Sequence, residues 1–195
     1  EGLSAADKAY DATVDATLEG TAFITALGSD TVTLGGTGTG EFANANVELD
    51  PDTGGPGLKV VSISGYNISG GDSDNYTLVM PTDVTATITP ETVTLSSSQI
   101  SVDDKDYDAS TIGTYTLTST TLATGVNNEE LSLRESGYDT EGNAIAARAE
   151  FAGKDVAFDA NGNVVAQAAG VEGFGLVDGS GANGGLAVNY VLELP

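Results

Sequence analysis

The sequence predicts a mostly-β protein made of two tandem modules, each a small β-sandwich or β-grasp-like sheet, arranged end to end. Three observations carry that prediction. Short runs alternate polar and apolar residues and are rich in Thr, Val, Ile and Tyr, the pattern of strands with one buried face. Glycine pairs such as Gly35-Gly36, Gly54-Gly55 and Gly70-Gly71 punctuate these runs, as turns require. The run Asp-Lys-x-Tyr-Asp-Ala occurs twice, at Asp7 to Ala12 and at Asp104 to Ala109, and an Asn-Tyr pair follows each copy, Asn75-Tyr76 and Asn189-Tyr190. Two signatures in the same order at a long period mark an internal duplication.

Taken in order, Thr31 to Leu34, Lys59 to Ser64, Tyr76 to Met80 and Val84 to Ile88 read as the strands of the first half. Glu91 to Leu95, Tyr115 to Leu122, Leu131 to Leu133 and Asn189 to Leu194 read as those of the second. Asp15 to Leu27 and the Ala-rich Asn143 to Phe151 have spacings that suit either element. Both are read as strand-dominated, with room for one short helix per module. Gly35 to Gly40 is a strand-and-turn segment rather than a phosphate cradle. Glu41 stands where a dinucleotide fingerprint needs its third glycine, and no Lys-Ser or Lys-Thr follows.

Thr87-Ile88-Thr89-Pro90 closes the first module (residues 1–89), and Glu91 to Leu95 opens the second (90–195) without a Gly/Ser spacer, which implies a stiff joint. Leu192-Glu193-Leu194-Pro195 reads as a repeat of that closing pattern. Module one lacks the opening strand that module two has ahead of its signature. The chain therefore reads as a segment that starts inside a repeat and leaves a sheet edge open. The interval from Tyr107 to Tyr190 exceeds that from Tyr10 to Tyr76, and most of the excess falls around Tyr138 to Arg148. The turn residues Thr140-Glu141-Gly142-Asn143 lie between two apolar-alternating arms there, so the excess reads as an inserted hairpin near 138–148.

Composition narrows the chemistry. The net charge is −23, from 29 acidic against six basic residues, which argues against nucleic acid and against anionic membrane surfaces. No apolar run is long enough to insert as a membrane-spanning helix. With no His and no Cys, the usual zinc, copper and haem ligand sets and the histidine-based triads have no residues to build them. Without Trp, and with few other aromatic rings, a sugar-stacking cleft is poorly supplied. The chain is not read as an enzyme.

Asp-Lys-x-Tyr-Asp, a strand like Thr31 to Leu34, Phe42-Ala43 with Val47, and Asn75-Tyr76-Thr77-Leu78 ahead of Ile88-Thr89-Pro90 together resemble the YDG repeat. That repeat, with the related MBG repeats, is found in large bacterial surface adhesins of the filamentous-haemagglutinin-like, two-partner-secreted kind. The resemblance spans nearly all of module one and, more loosely, module two. Ala12 and Ala109 depart from it, standing where Gly is usual. It implies extracellular, mostly-β extender repeats of a stalk at the bacterial cell surface, with roles in attachment or biofilm. Neighbouring repeats of the same polypeptide are the implied partners, and no catalytic residues are carried over.

Three groups of residues are candidates for more than packing. Lys8, Asn75 and Asp11, and their counterparts Lys105, Asn189 and Asp108, have the residue types for an intramolecular Lys–Asn isopeptide crosslink with an acid to handle the proton; such chemistry needs burial. The blander reading makes the repeated tyrosines core aromatics and pairs the lysines with nearby carboxylates. Calcium is the one possible cofactor, either in one of the acid-bearing turns, Asp50 to Gly54, Asp72 to Asn75, Asp139 to Asn143 and Asp159 to Asn163, or at the module junction near Asp103 and Asp104. Arg134, Tyr138 and Arg148 gather both arginines of the chain at the insert and form the candidate surface for a polysaccharide. The blander alternative there is a hairpin that covers a sheet edge.

Overall fold

A computed structural model of the chain describes residues 2–138 and 143–195. Strands dominate it. Among the described residues the only helical elements are two 3-10 turns, Ser73–Asn75 and Ala187–Asn189. The chain divides into two compact units, Glu1–Glu91 and Thr92–Pro195.

The first unit contains β1 (Leu3–Ala5), β2 (Lys8–Ala9), β3 (Asp15–Ala16), β4 (Leu18–Gly20), β5 (Thr33–Phe42), β6 (Leu58–Ser69) and β7 (Thr85–Thr89). Its main sheet runs β2-β7-β6-β5-β3, and β1 pairs with β4 beside it. The long antiparallel ladder of β5 and β6 is the spine. Its register shifts between Gly36 and Thr39, where Gly36 and Gly65 both take positive φ. A Cβ on either would strike the opposite backbone, so this bulge needs glycine on both strands. Gly35 to Gly40 is therefore continuous strand, without the turn expected there. β7 lies between β2 and β6, parallel to the first and antiparallel to the second. Its alternate residues Ala86 and Ile88, preceded by Val84, are buried together with Tyr10, Phe42, Val47, Val61 and Ile63. Period-two alternation gives β7 one apolar face, and that face closes the core.

The second unit contains β8 (Glu91–Thr94, which begins on the last residue of the first), β9 (Ile100–Val102), β10 (Ile112–Gly113), β11 (Tyr115–Leu117), β12 (Thr121–Ala123), β13 (Glu130–Arg134), β14 (Ser136–Tyr138), β15 (Ala144–Ala146), β16 (Arg148–Phe151), β17 (Ala169–Glu172), β18 (Gly175–Val177) and β19 (Tyr190–Glu193). Its sheets are β10-β16-β17, β12-β13-β18, and the pairs β9-β11, β14-β15 and β8-β19. Val93, Leu95, Ile100, Leu122, Leu131, Leu133, Ala149, Phe174 and Tyr190 form its core.

Several ladders of the first unit recur in the second, although those of β7 do not. Leu3↔Gly20 to Ala5↔Leu18 recurs as Ile100↔Leu117 to Val102↔Tyr115. Asp15↔Glu41 recurs as Ile112↔Glu150, and Phe42↔Val61 as Phe151↔Ala169. Phe42 N–H donates to Val14 O and Phe151 N–H to Thr111 O. Ala12 and Ala109 both lie at positive φ, 62° and 64°. The hairpin β14-β15 falls where the first unit has its glycine bulge. Its strands overlap the insert read near 138–148, and residues 139–142 lie outside the described residues.

Two readings from the sequence are corrected here. Tyr76 to Met80 is not a strand. The last residues do not repeat the Thr87-to-Pro90 closing. Both Tyr76 and Tyr190 follow a 3-10 turn ending in Asn, so Leu192 to Pro195 correspond to Leu78 to Pro81. β19 pairs with β8, whereas β7 sits between β2 and β6.

Candidate functional site

The repeated Asp-Lys-x-Tyr-Asp-Ala run builds the same clamp twice. Lys8 Nζ reaches Asp11 Oδ1 at 2.6 Å and donates to Thr13 Oγ1 at 2.9 Å, Thr13 O at 3.2 Å and Asp15 O at 3.1 Å. Lys105 Nζ reaches Asp108 Oδ1 at 2.7 Å, Ser110 O at 2.9 Å and Ile112 O at 2.8 Å. Asp11 Oδ1 accepts the Thr13 amide, and Asp108 Oδ1 the Ser110 amide, which turns the chain through the left-handed alanine. Burial pushes the Asp11 carboxyl up but is outweighed by the bonds from Lys8 and Thr13, so it lies below the usual range. Lys105, then the Ser110 amide, hold Asp108 down likewise.

In this geometry neither lysine is poised for the crosslink. The reaction needs a neutral amine facing an asparagine and a protonated acid. Lys8 and Lys105 are instead ion-paired with Asp11 and Asp108, and both acids are stabilised as carboxylates. Asn75 is exposed in its 3-10 turn and Asn189 is buried in the other; the lysines are turned toward neither. The tyrosines after these asparagines brace loops. Tyr76 Oη accepts the Leu27 amide and donates to Asp30, and Tyr190 Oη bonds Thr124 and Glu129.

A more deeply placed lysine escaped the reading of the sequence. Lys59 is buried. Its ammonium donates to Asn44 O at 3.0 Å, Asn44 Oδ1 at 2.8 Å and Asn46 O at 2.5 Å, with the Phe42 ring 5.9 Å away. Burial pulls it below the ordinary lysine range, opposed by Glu48. At the corresponding place in the second unit, Gln167 donates to Asp155 O. A single lysine in an alternating strand carries no sequence signal for this role.

The arginine candidates both make bonds within the chain, Arg134 from an exposed position and Arg148 from a half-buried one. Arg134 Nε donates to Ser136 O at 2.7 Å, and Arg148 pairs with Glu172 at 2.5 Å and with Glu150 at 3.8 Å. Tyr138 is 66% exposed on the hairpin, but the structure gives it no arginine aimed at a ligand. Asp103 Oδ1 accepts the Thr116 hydroxyl at 2.9 Å. Among the described residues no three acidic side chains come together to hold a cation at Asp103 and Asp104 or elsewhere. Asp50 and Asp159 cap their own turns through the amides of Thr53 and Asp52, and of Asn161 and Asn163. Asp139 to Gly142 lie outside the described residues.

Two grooves remain. One, of about 320 Å³ in the first unit, is lined by Phe23, Val32, Ile68 and Tyr76 to Val79. The other, of about 470 Å³ in the second, runs between Asp104 to Tyr107 and Val164 to Gln167, with Phe151 and Val156 in its floor. Asp104, Asp106 and Ser110 also line the second groove.

No curated protein and no solved structure matches the chain. The family model of the YDG domain, however, matches residues 1–86, the span that holds the first clamp, the glycine bulge and the Asn75-Tyr76 brace. A YDG domain is thus found at residues 1–86.

Proposed function

We propose that the chain is a pair of extender repeats from the stalk of a large secreted bacterial adhesin, holding a distal attachment region away from the cell surface. The observation that carries this reading is the duplication. A YDG domain at residues 1–86 is followed by a second unit with several of the same ladders, the same left-handed alanine and the same lysine clamp. Repeated residues spent on turns and braces serve the repeat itself. The excess of 29 acidic over six basic residues keeps crowded neighbours from associating. The second unit is on this reading a diverged YDG repeat, and the hairpin β14-β15 covers a sheet edge rather than binding a glycan. Gly137 supports that role, since a Cβ there would strike the backbone of Phe174.

The test is binding of the purified chain to an array of bacterial polysaccharides in calcium-containing buffer. A stalk gives no saturable signal. Saturable binding that is lost in the Arg134→Ala, Tyr138→Ala, Arg148→Ala triple variant, with folding intact, would replace the stalk by an adhesive module.

A further inference from the structure

We propose that the Asn161-Gly162 bond, at a hairpin tip of the second unit, is a site of spontaneous deamidation that opens the tip as the protein ages. The chain has three Asx-Gly bonds, Asn161-Gly162, Asp178-Gly179 and Asn183-Gly184. At such a bond the glycine nitrogen can attack the side-chain carbonyl carbon of the residue before it, since glycine carries no side chain to block the approach. The Gly162 nitrogen gives its proton to solvent and bonds to Asn161 Cγ, and the Cγ–Nδ2 bond breaks with ammonia leaving. Water then opens the cyclic imide at either carbonyl, to aspartate or to isoaspartate. Water is consumed, ammonia is released and a carboxylate is gained.

The fold separates the three bonds. Gly184 is wedged against Gly179, where a Cβ would meet Gly179 O at 2.5 Å. Glu130 ties the backbone on both sides of it: Asn183 O accepts the Glu130 amide at 2.8 Å, and the Gly185 amide donates to Glu130 O at 2.9 Å. Asn183 has no freedom to turn onto the next nitrogen while both bonds hold. A Cβ on Gly179 would strike Glu130, and Asp178 Oδ1 is held by the Ala187 amide at 2.7 Å. A Cβ on Gly162, by contrast, would meet nothing within 4 Å, and residues 159–164 are exposed. The Gly162 amide must first leave Asp159 O, and an exposed tip opens at little cost. This exposure belongs to the tip itself. In the first unit the matching tip, closed by Leu49↔Pro56, is exposed at 51–54 with β7 in place. That tip has no Asx-Gly bond, so the second unit alone ages in this way at its tip.

Asp159 holds the chain on both sides of the reactive bond. Its Oδ1 accepts the amides of Asn161 at 2.8 Å and Asn163 at 2.9 Å. Its carbonyl accepts the Gly162 amide at 3.1 Å, and its own amide donates to Asn163 O at 2.9 Å. Isoaspartate runs the backbone through the former side chain and adds a methylene between these anchors. The four bonds then no longer fit together, and the bridge Phe158↔Val164 and the bond from the Val165 amide to Ala157 O lose their closure. Aspartate keeps the backbone length and leaves the tip closed. The opening therefore follows from connectivity and not from charge.

The proposal rests on the geometry of the tip and not on the adhesin reading, so either can fail alone. The folded chain is aged in warm, mildly alkaline buffer and digested after glutamate, which places Asn161 and Asn183 on separate peptides, 151–172 and 173–193. Mass and fragmentation spectra then read deamidation and isoaspartate at each site. Conversion at Asn161 should be at least about tenfold faster than at Asn183 in the folded chain, with the two rates converging in urea, where local opening no longer separates them. Hydrogen exchange at 163–165 should accelerate in the isoaspartate fraction and keep the parent rate in freshly prepared Asn161→Asp, which has the charge without the methylene. Conversion at Asn183 as fast as at Asn161 in the folded chain, unchanged exchange in the isoaspartate fraction, or equal acceleration in Asn161→Asp would each overturn the proposal.

Discussion

Lys59 offers the sharpest test of what holds the first unit together. Lys59→Ala removes a buried ammonium that ties Asn44 and Asn46 to β6 through three bonds. A hydrogen bond to a charged group contributes about 1.5–3 kcal/mol, and a buried acceptor left without a donor costs about 1–3 kcal/mol. Two offsets apply: Asn44 is exposed and can be rehydrated, and the ammonium's own burial is unfavourable. A net loss of about 2–3 kcal/mol follows, or roughly 10–20 °C in the melting temperature of a domain this size. Lys59→Gln should lose less, since Gln167 makes the matching bond to Asp155 O. The assay is calorimetric melting, with hydrogen exchange along 58–69 to assign the transition to the first unit. Melting of the alanine variant within about 2 °C of the parent, or equal losses for alanine and glutamine, would refute the reasoning. The pH dependence has a definite sign. The folded pKa of Lys59 lies below its unfolded value of 10.5. Below both values each state holds the proton and the burial penalty is present in full. As pH rises between them the folded state gives up its proton first, so stability rises with pH. Lys59→Met should flatten that rise.

Four further outcomes are expected. Ala12→Gly and Ala109→Gly should each stabilise by about 0.5–1 kcal/mol, because an L-residue at φ near +60° is strained by roughly 1–2 kcal/mol and glycine returns part of that through its freer unfolded chain; urea melts would read it. Asp11→Asn and Asp108→Asn should flatten acid unfolding. These carboxyls are depressed when folded, so their contribution is present above the unfolded value of 3.8 and is lost as pH falls through the lower folded value. Added NaCl should raise the melting temperature, since it screens the repulsion of a −23 chain; a fall in melting temperature from low salt to about 0.5 M would contradict this. Intact mass should equal the sequence mass, without loss of ammonia at either lysine clamp.

The duplication was legible because turns and clamps depend on a few local residues. Asp11, Ala12 and Lys8 act within one another's reach, so their identity survives at Asp108, Ala109 and Lys105 while the strands drift. The hairpin was legible for the related reason that an insertion displaces aligned landmarks such as Phe42 and Phe151. What the sequence concealed was pairing. Thr87-Ile88-Thr89-Pro90 and Leu192-Glu193-Leu194-Pro195 look alike as strings, yet one is a central strand and the other an edge beside β8. Alternation tells a strand which face is buried, and it is silent on the neighbour that buries it. The pairing of Arg148 was hidden for a similar reason: adjacency in sequence could not foresee that Glu172 would take it.

The lysine positions show how far the two units have moved apart under one architecture. The first unit has Lys59 gripping two loop carbonyls under a closed sheet, and β7 in place over Tyr10. The second has the shorter Gln167 gripping one carbonyl, and Asp106 where β2 has Ala9. A buried ammonium is tolerable where a packed core and several acceptors surround it. With one loop carbonyl to grip, a neutral amide does the same work without a charge to desolvate. Gln167→Lys should therefore leave the melting temperature of the second unit no higher than in the parent, because a single acceptor does not offset the desolvation of an ammonium; a clear rise would refute that account.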